Sequence, residues 1–222
     1  MEYVLKKRKF IKIKEPVNAL THFIAFVAAI PLLCIFLIKA NEKISLLYFI
    51  SFLIFGSSLL LLYGASTIYH TLDISEKTTA LLRRIDHMMI FILIAGTYTP
   101  VCLIPLYGRG GVLLLSSVWI FALAGIVLKI FWLSVPRWFS TLLYVIMGWL
   151  VVVAFVPLKN AISLSGIFLL TAGGIAYTIG AMIYALKPSK LNFKLFGFHE
   201  IFHVFVIIGS TFHIIFMFLY IL

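Results

Sequence analysis

Seven stretches of about twenty apolar residues run through this chain, at roughly 17–38, 44–70, 85–106, 111–132, 138–157, 163–186 and 198–221. The hydrocarbon core of a bilayer takes about 20 residues of helix to cross, and a crossing segment must satisfy its own backbone hydrogen bonds. Charge, proline or glycine marks each separator: Lys39 to Lys43, Asp73 to Arg84, Gly108 to Gly111, Ser134 to Arg137, Pro157 to Asn160 and Lys187 to Lys194. The expected fold class is therefore all-α, a polytopic seven-transmembrane-helix bundle over residues 15–222. A basic tail, residues 1–14, precedes it. The loops are short, so consecutive helices should be antiparallel neighbours.

Composition excludes the soluble alternative. The chain is 64% hydrophobic and 11% charged, against about 45–50% and about 25% in soluble domains. Too few charges exist to coat a water-facing surface. The net charge of +11 sits mostly in the short separators, where it meets anionic lipid headgroups rather than nucleic acid. Cys34 and Cys102 both lie inside apolar runs and give no disulfide framework. The basic N-terminus resembles the start of a signal peptide, but the run after it is of spanning length and lacks a small-residue cleavage site, so it reads as a retained first helix.

Lys and Arg set the orientation. Counting alternate sides, fourteen of the eighteen fall on the side of the N-terminus: Lys6, Lys7, Arg8, Lys9, Lys12, Lys14, Lys77, Arg83, Arg84, Lys129, Arg137, Lys187, Lys190 and Lys194. Only Lys39, Lys43, Arg109 and Lys159 fall on the other. This places the N-terminus in the cytoplasm and the C-terminus outside, as in a multi-pass protein of the cell (plasma) membrane. Pro31, Pro100 and Pro105 are candidate kinks. Gly173, Gly174, Ala176 and Gly180 form a small-residue face on the sixth span, suited to close helix packing.

Ionisable residues are expensive inside a membrane and ask for a reason. Glu15, Asn18 and His22 open the first span, Ser66 and His70 close the second, Asp86 and His87 open the third, and His199, Glu200 and His203 open the seventh. The orientation derived from Lys and Arg alone brings all four groups to one depth near the cytoplasmic leaflet. His199 and His203 are four residues apart and share a helical face, as do Ser66 and His70. His70, His199 and His203 could thus hold one Zn²⁺ and leave a fourth position for water, the open coordination of a catalytic site. Asp86 could accept a hydrogen bond from a ligating ring or from that water; its alternative is an ion pair with Arg83 or Arg84. Ser66 could back-bond to its own helix. His22 could cap or pair with Glu15 and Asn18. His87 points about 100° away from Asp86, which argues against both facing one site. His213 lies ten residues beyond His203, about 15 Å deeper, and reads as bundle packing. His199 to His203 also match the His-Glu-x-x-His pattern of zinc proteases, with Glu200 as general base.

Taken together, Glu15-Pro16-Val17-Asn18 with His22, Ser66 with His70, Asp86-His87-Met88-Met89-Ile90-Phe91 leading to Ala95-Gly96-Thr97-Tyr98-Thr99-Pro100, and His199-Glu200-Ile201-Phe202-His203 with His213 resemble the haemolysin III branch of the progestin and adiponectin receptor family. The resemblance covers about residues 13–220, with the motifs in order, and is closer to the bacterial members. It implies a seven-helix bundle with zinc held by His70, His199 and His203, with Ser66 and Asp86 as the accompanying serine and aspartate. The superfamily includes alkaline ceramidases, so it implies zinc-dependent hydrolysis of a lipid amide, linked to membrane-lipid homeostasis. Receptor relatives carry Gln at the position of Glu200, which argues for Asp86 or Ser66, not Glu200, as the catalytic assistant. Two alternatives stand beside a hydrolase with membrane lipids as its partners: a sensor of membrane state with structural zinc, and a cytolysin or pore. A pore or ion path needs polar groups across the full bilayer, and the outer halves of these spans are almost wholly apolar.

Overall fold

The computed structural model describes residues 13–132, 135–191, 193 and 196–222. Most of the basic tail, residues 1–12, and Lys194 lie outside them. Seven helical spans are present, each long and apolar enough to cross a membrane. They are α1 (Pro16–Glu42), α2 (Leu46–Thr71), α3 (Glu76–Leu103), α4 (Gly111–Phe131), a fifth span made of α5 (Arg137–Trp149), a 3₁₀ turn (Leu150–Ala154) and α6 (Phe155–Ala161), then α7 (Leu164–Leu186) and α8 (Phe198–Tyr220).

The third span begins nine residues before its apolar run. Ser75 caps it, its side chain accepting from the Thr78 N–H, and Glu76 favours the positive end of the helix dipole. These first turns carry Arg83 and Arg84, so polarity ended the run without ending the helix. Pro31 and Pro100 sit inside α1 and α3, whereas Pro105 falls beyond the end of α3.

The fifth span breaks one turn before Pro157, which offers no N–H to the Val153 carbonyl and crowds it. The Tyr98 hydroxyl on α3 accepts from the Val151 N–H (2.8 Å) and faces the carbonyl oxygens of Gly148 (2.7 Å) and Met147 (3.1 Å). A 3₁₀ turn leaves backbone groups outside the α-helical ladder, and this phenol satisfies them from a neighbouring helix.

Neighbours in sequence pack in space: α1 on α2, α2 on α3, α3 on α4 and α7 on α8, with α5 against α7 and α8 closing against α1. Gly173 shows the small-residue face at work. A Cβ there would meet the His213 ring at 2.5 Å, so only glycine lets α7 approach α8 this closely. The main core, including Phe36, Phe52, Phe55, Leu59 and Phe216, fills the end of the bundle remote from the N-terminus. At the opposite end the helices stand apart around a cavity of about 770 Å³.

A candidate metal centre of three histidines

His70 closes α2, and His199 and His203 lie on one face of the first turns of α8. A nitrogen from each lies within 4.8 Å of one from each of the others, a spacing that could hold a metal ion. His70 and His203 are buried at 0% and 2% exposure. The Nε2 atoms of His70 and His199 face each other at 3.4 Å.

The surrounding residues fix which nitrogens are free. His70 Nδ1 donates to Glu15 Oε2 at 2.5 Å, which leaves its Nε2 with a bare lone pair. Thr21 donates its hydroxyl proton to the Asn18 carbonyl (3.0 Å), so its oxygen accepts from His203 Nδ1 at 3.4 Å, and His203 Nε2 is bare in turn. Lone pairs converging on one point without protons between them repel unless a cation sits there. A carboxylate behind one ligand ring is a common way for proteins to orient a metal-binding imidazole. The His70 hydrogen bond also holds the Glu15 carboxyl down at about 2, against the burial that would raise it.

Glu15 and Glu200 are both committed to structure. Glu15 also takes an Asn18 amide proton (3.2 Å) and binds the turn at the end of α2, its N–H donating to the His70 carbonyl (2.9 Å). Glu200 accepts from the Gly197 N–H (2.8 Å) at the start of α8 and from Asn18 Nδ2 (2.9 Å). A carboxylate with both oxygens occupied in a helix cap is poorly placed as a general base, so the protease-like pattern does not carry a protease-like role.

Several expectations change. Asp86 does not bond a ligating ring; Glu15 does that. Nor does it pair with Arg83 or Arg84: no ion pair of Asp86 occurs among the described residues. It is buried at 8% exposure and lines the cavity. Ser66 does not back-bond to α2. Its Oγ is buried, approaches the Asp86 carboxyl and closes no hydrogen bond. His22 does not pair with Glu15 or Asn18. Its ring stacks on His203 at 3.7 Å and meets the Tyr63 ring edge-on, and neither nitrogen has a partner. His87 and Asp86 line the same cavity after all, because it is wide enough to be reached from adjacent positions of α3. His87 Nε2 lies 3.3 Å from the Tyr184 hydroxyl. His213 is packing, its Nε2 donating to the Leu170 carbonyl on α7 (3.2 Å).

Thr21 and Tyr184 escaped the sequence reading. Thr21 stands between Asn18 and His22, but a threonine in a membrane helix usually bonds its own backbone and so gives no signal. Tyr184 reaches the site from α7, its ring 5.6 Å from that of His199.

The chain also matches known proteins in sequence. A family model described as haemolysin-III related matches residues 10–214. The chain is 44% identical over 200 residues to a hemolysin-3 homolog of Bacillus subtilis (strain 168), covering 90% of this chain and 91% of that one. It is 39% identical over 210 residues to hemolysin-3 of Bacillus cereus, covering 95% and 92%.

Proposed function

This chain belongs to the haemolysin III-related family, and from that membership and its histidine cluster we propose a zinc-dependent hydrolase of the cell membrane, acting on a lipid amide at the cytoplasmic leaflet. The observation that carries the reading is the pair Asp86 and Ser66. Both line the cavity, Ser66 one turn from His70 and approaching the Asp86 carboxyl, and neither has any other side-chain partner among the described residues. Buried polar groups normally find partners, so idle ones next to a candidate metal site are available for a substrate.

Zn²⁺ at His70, His199 and His203 would polarise a carbonyl and lower the pKa of a bound water to about 7. Asp86 is placed to accept a proton from an attacking water and return it to the leaving amine. Ser66 is placed to donate its hydroxyl proton toward the carbonyl oxygen as negative charge develops there. Glu15 and Thr21 hold the His70 and His203 rings in register, and the membrane-depth walls of the cavity accommodate acyl chains. Membrane-lipid homeostasis is the process this activity would serve.

Purified, reconstituted protein should release fatty acid from lipid amides, with the rate lost on chelation and restored by zinc. Asp86→Asn should abolish release while leaving bound zinc intact. No metal-dependent release across a broad panel of amide and ester lipids would rule the hydrolase out.

One observation favours a second reading, a membrane-state sensor with structural zinc. The imidazoles join α2 to α8, as the buried hydrogen bond from the Tyr63 hydroxyl to Ser210 Oγ (2.7 Å) does further along. Under that reading His70→Ala unfolds the bundle, while Asp86→Ala and Ser66→Ala leave biological activity unchanged. Both relatives carry the name hemolysin-3, which suggests lysis as a third activity. Against a single-chain pore stands the aromatic packing of Phe36, Phe52, Phe55 and Phe218 at the far end.

A further inference from the structure

Four cations line the cavity: Arg83 and Arg84 on α3, Lys129 on α4 and Arg137 at the start of α5. None has a carboxylate within 4 Å among the described residues, whereas Lys14 pairs with Glu15 at 3.5 Å and Lys39 with Glu42 at 3.0 Å. Lys129 is the most telling. It is only 7% exposed, and its ammonium donates to a single hydroxyl, Ser140 Oγ on α5, at 2.6 Å. A lysine near a helix end usually snorkels its charge to water; this one turns inward between two helices. Arg83, Lys129 and Arg137 line this part of the cavity together with His87 and Tyr184. The Arg137 guanidinium sits 5.6 Å from the centre of the Tyr184 ring, which in turn faces His199.

Like charges gathered at a partly buried site are unstable alone, and an anion relieves both the repulsion and the missing hydrogen bonds. The chemistry points to phosphate, whose oxygens match an ammonium and a guanidinium fork. The depth is that of a headgroup, because Phe131, Trp132 and Trp138, all exposed, flank Lys129 and Arg137 in the manner of an interfacial aromatic belt. Leu93, Ile94 and Val206 continue the cavity inward with apolar walls.

We propose that this mouth, formed by Arg83, Lys129 and Arg137, binds the phosphate of a phospholipid headgroup, with the acyl chains entering the cavity. The site stands apart from whether the histidines turn a lipid over, and binding alone tests it. Purified full-length protein in neutral detergent is titrated with a fluorescent phosphatidylglycerol and with a diacylglycerol of the same chains. Wild type binds the phospholipid more tightly. In Lys129→Gln/Arg137→Gln that affinity falls at least about tenfold, the scale of a lost charge-assisted contact, while diacylglycerol binding is unchanged. Lys129→Arg keeps the charge and keeps the affinity. Lys77→Gln/Lys187→Gln removes two cations outside the cavity and changes nothing. Elution as a monodisperse species reports that each variant is folded; if the double variant fails this, the exposed Arg137→Gln alone carries the test and shows a smaller loss in the same direction. Unchanged phospholipid affinity in the charge-removing variants overturns the proposal, as does an equal loss in the Lys77/Lys187 pair. Displacement of the lipid by an equal concentration of inorganic phosphate overturns the lipid assignment in favour of a free anion.

Discussion

The two ends of α1, α2 and α8 are built on opposite plans. At one end these helices present Phe36, Phe52, Phe55, Phe216 and Phe218; the Phe36 ring lies 4.7–5.4 Å from those of Phe52, Phe55 and Phe218. At the other they present His22, His199 and His203 to a cavity, with His70 fully buried against them. The closed end is held by packing between bulky rings, the main association force available where lipid is as apolar as the side chains. Among the described residues the open end leaves unpaired both nitrogens of His22, Asn18 Oδ1 and Ser66 Oγ, against Ser51 Oγ beside Phe52 at the closed end. One end supplies cohesion, which allows the other to keep a space and idle chemistry inside it.

Damage should therefore separate by end. The largest effect belongs to the ligands: His203→Ala should lose stoichiometric zinc, measured by metal analysis of purified protein beside wild type, and equal zinc in both would break the comparison at its polar end. Phe36→Ala should lower thermal stability without changing zinc content. Its cost should be below the ~3–5 kcal/mol of the same truncation in a soluble core, because hydrocarbon rather than water receives the freed surface. If Phe36→Ala instead empties the metal site, the ends are not independent. Glu15→Gln removes the charge behind His70, and zinc affinity should fall about 10–100-fold, read by competition with a chelator of known affinity. Smallest is Tyr98→Phe, which strands the backbone groups at the break in the fifth span and should cost about 1–3 kcal/mol, seen as a lower unfolding temperature with zinc unchanged.

The spans were legible because a run of twenty apolar residues has few other uses, and the grouping of His70, His199 and His203 because alternation of the spans gives each end of a helix a depth. What lay hidden depends on partners remote in the chain. The break at Leu150–Ala154 has a local sign in Pro157, but the group that completes it, the Tyr98 hydroxyl, lies some fifty residues earlier. The Glu15–His70 bond joins residues fifty-five apart, so Glu15 read as a member of its own helix's stripe rather than as the partner of a ligand. Asp86 was assigned that partner role because its depth fitted, and depth does not fix direction around a helix. Lys129 counted only as one more charge on the basic side, since a sequence does not tell an ammonium that reaches water from one turned toward Ser140.

The hydroxyl of Tyr98 has a consequence for how the protein is made. Ribosomes deliver the third span to the membrane before the fifth, so the donor and acceptor that stabilise the bend are in the bilayer before the bending segment emerges. The fifth span, already weakened at the turn before Pro157, then meets a partner for its freed backbone groups. Reversing the order of delivery, by circular permutation that places the fifth span first, would ask that segment to wait in lipid without the group that completes it.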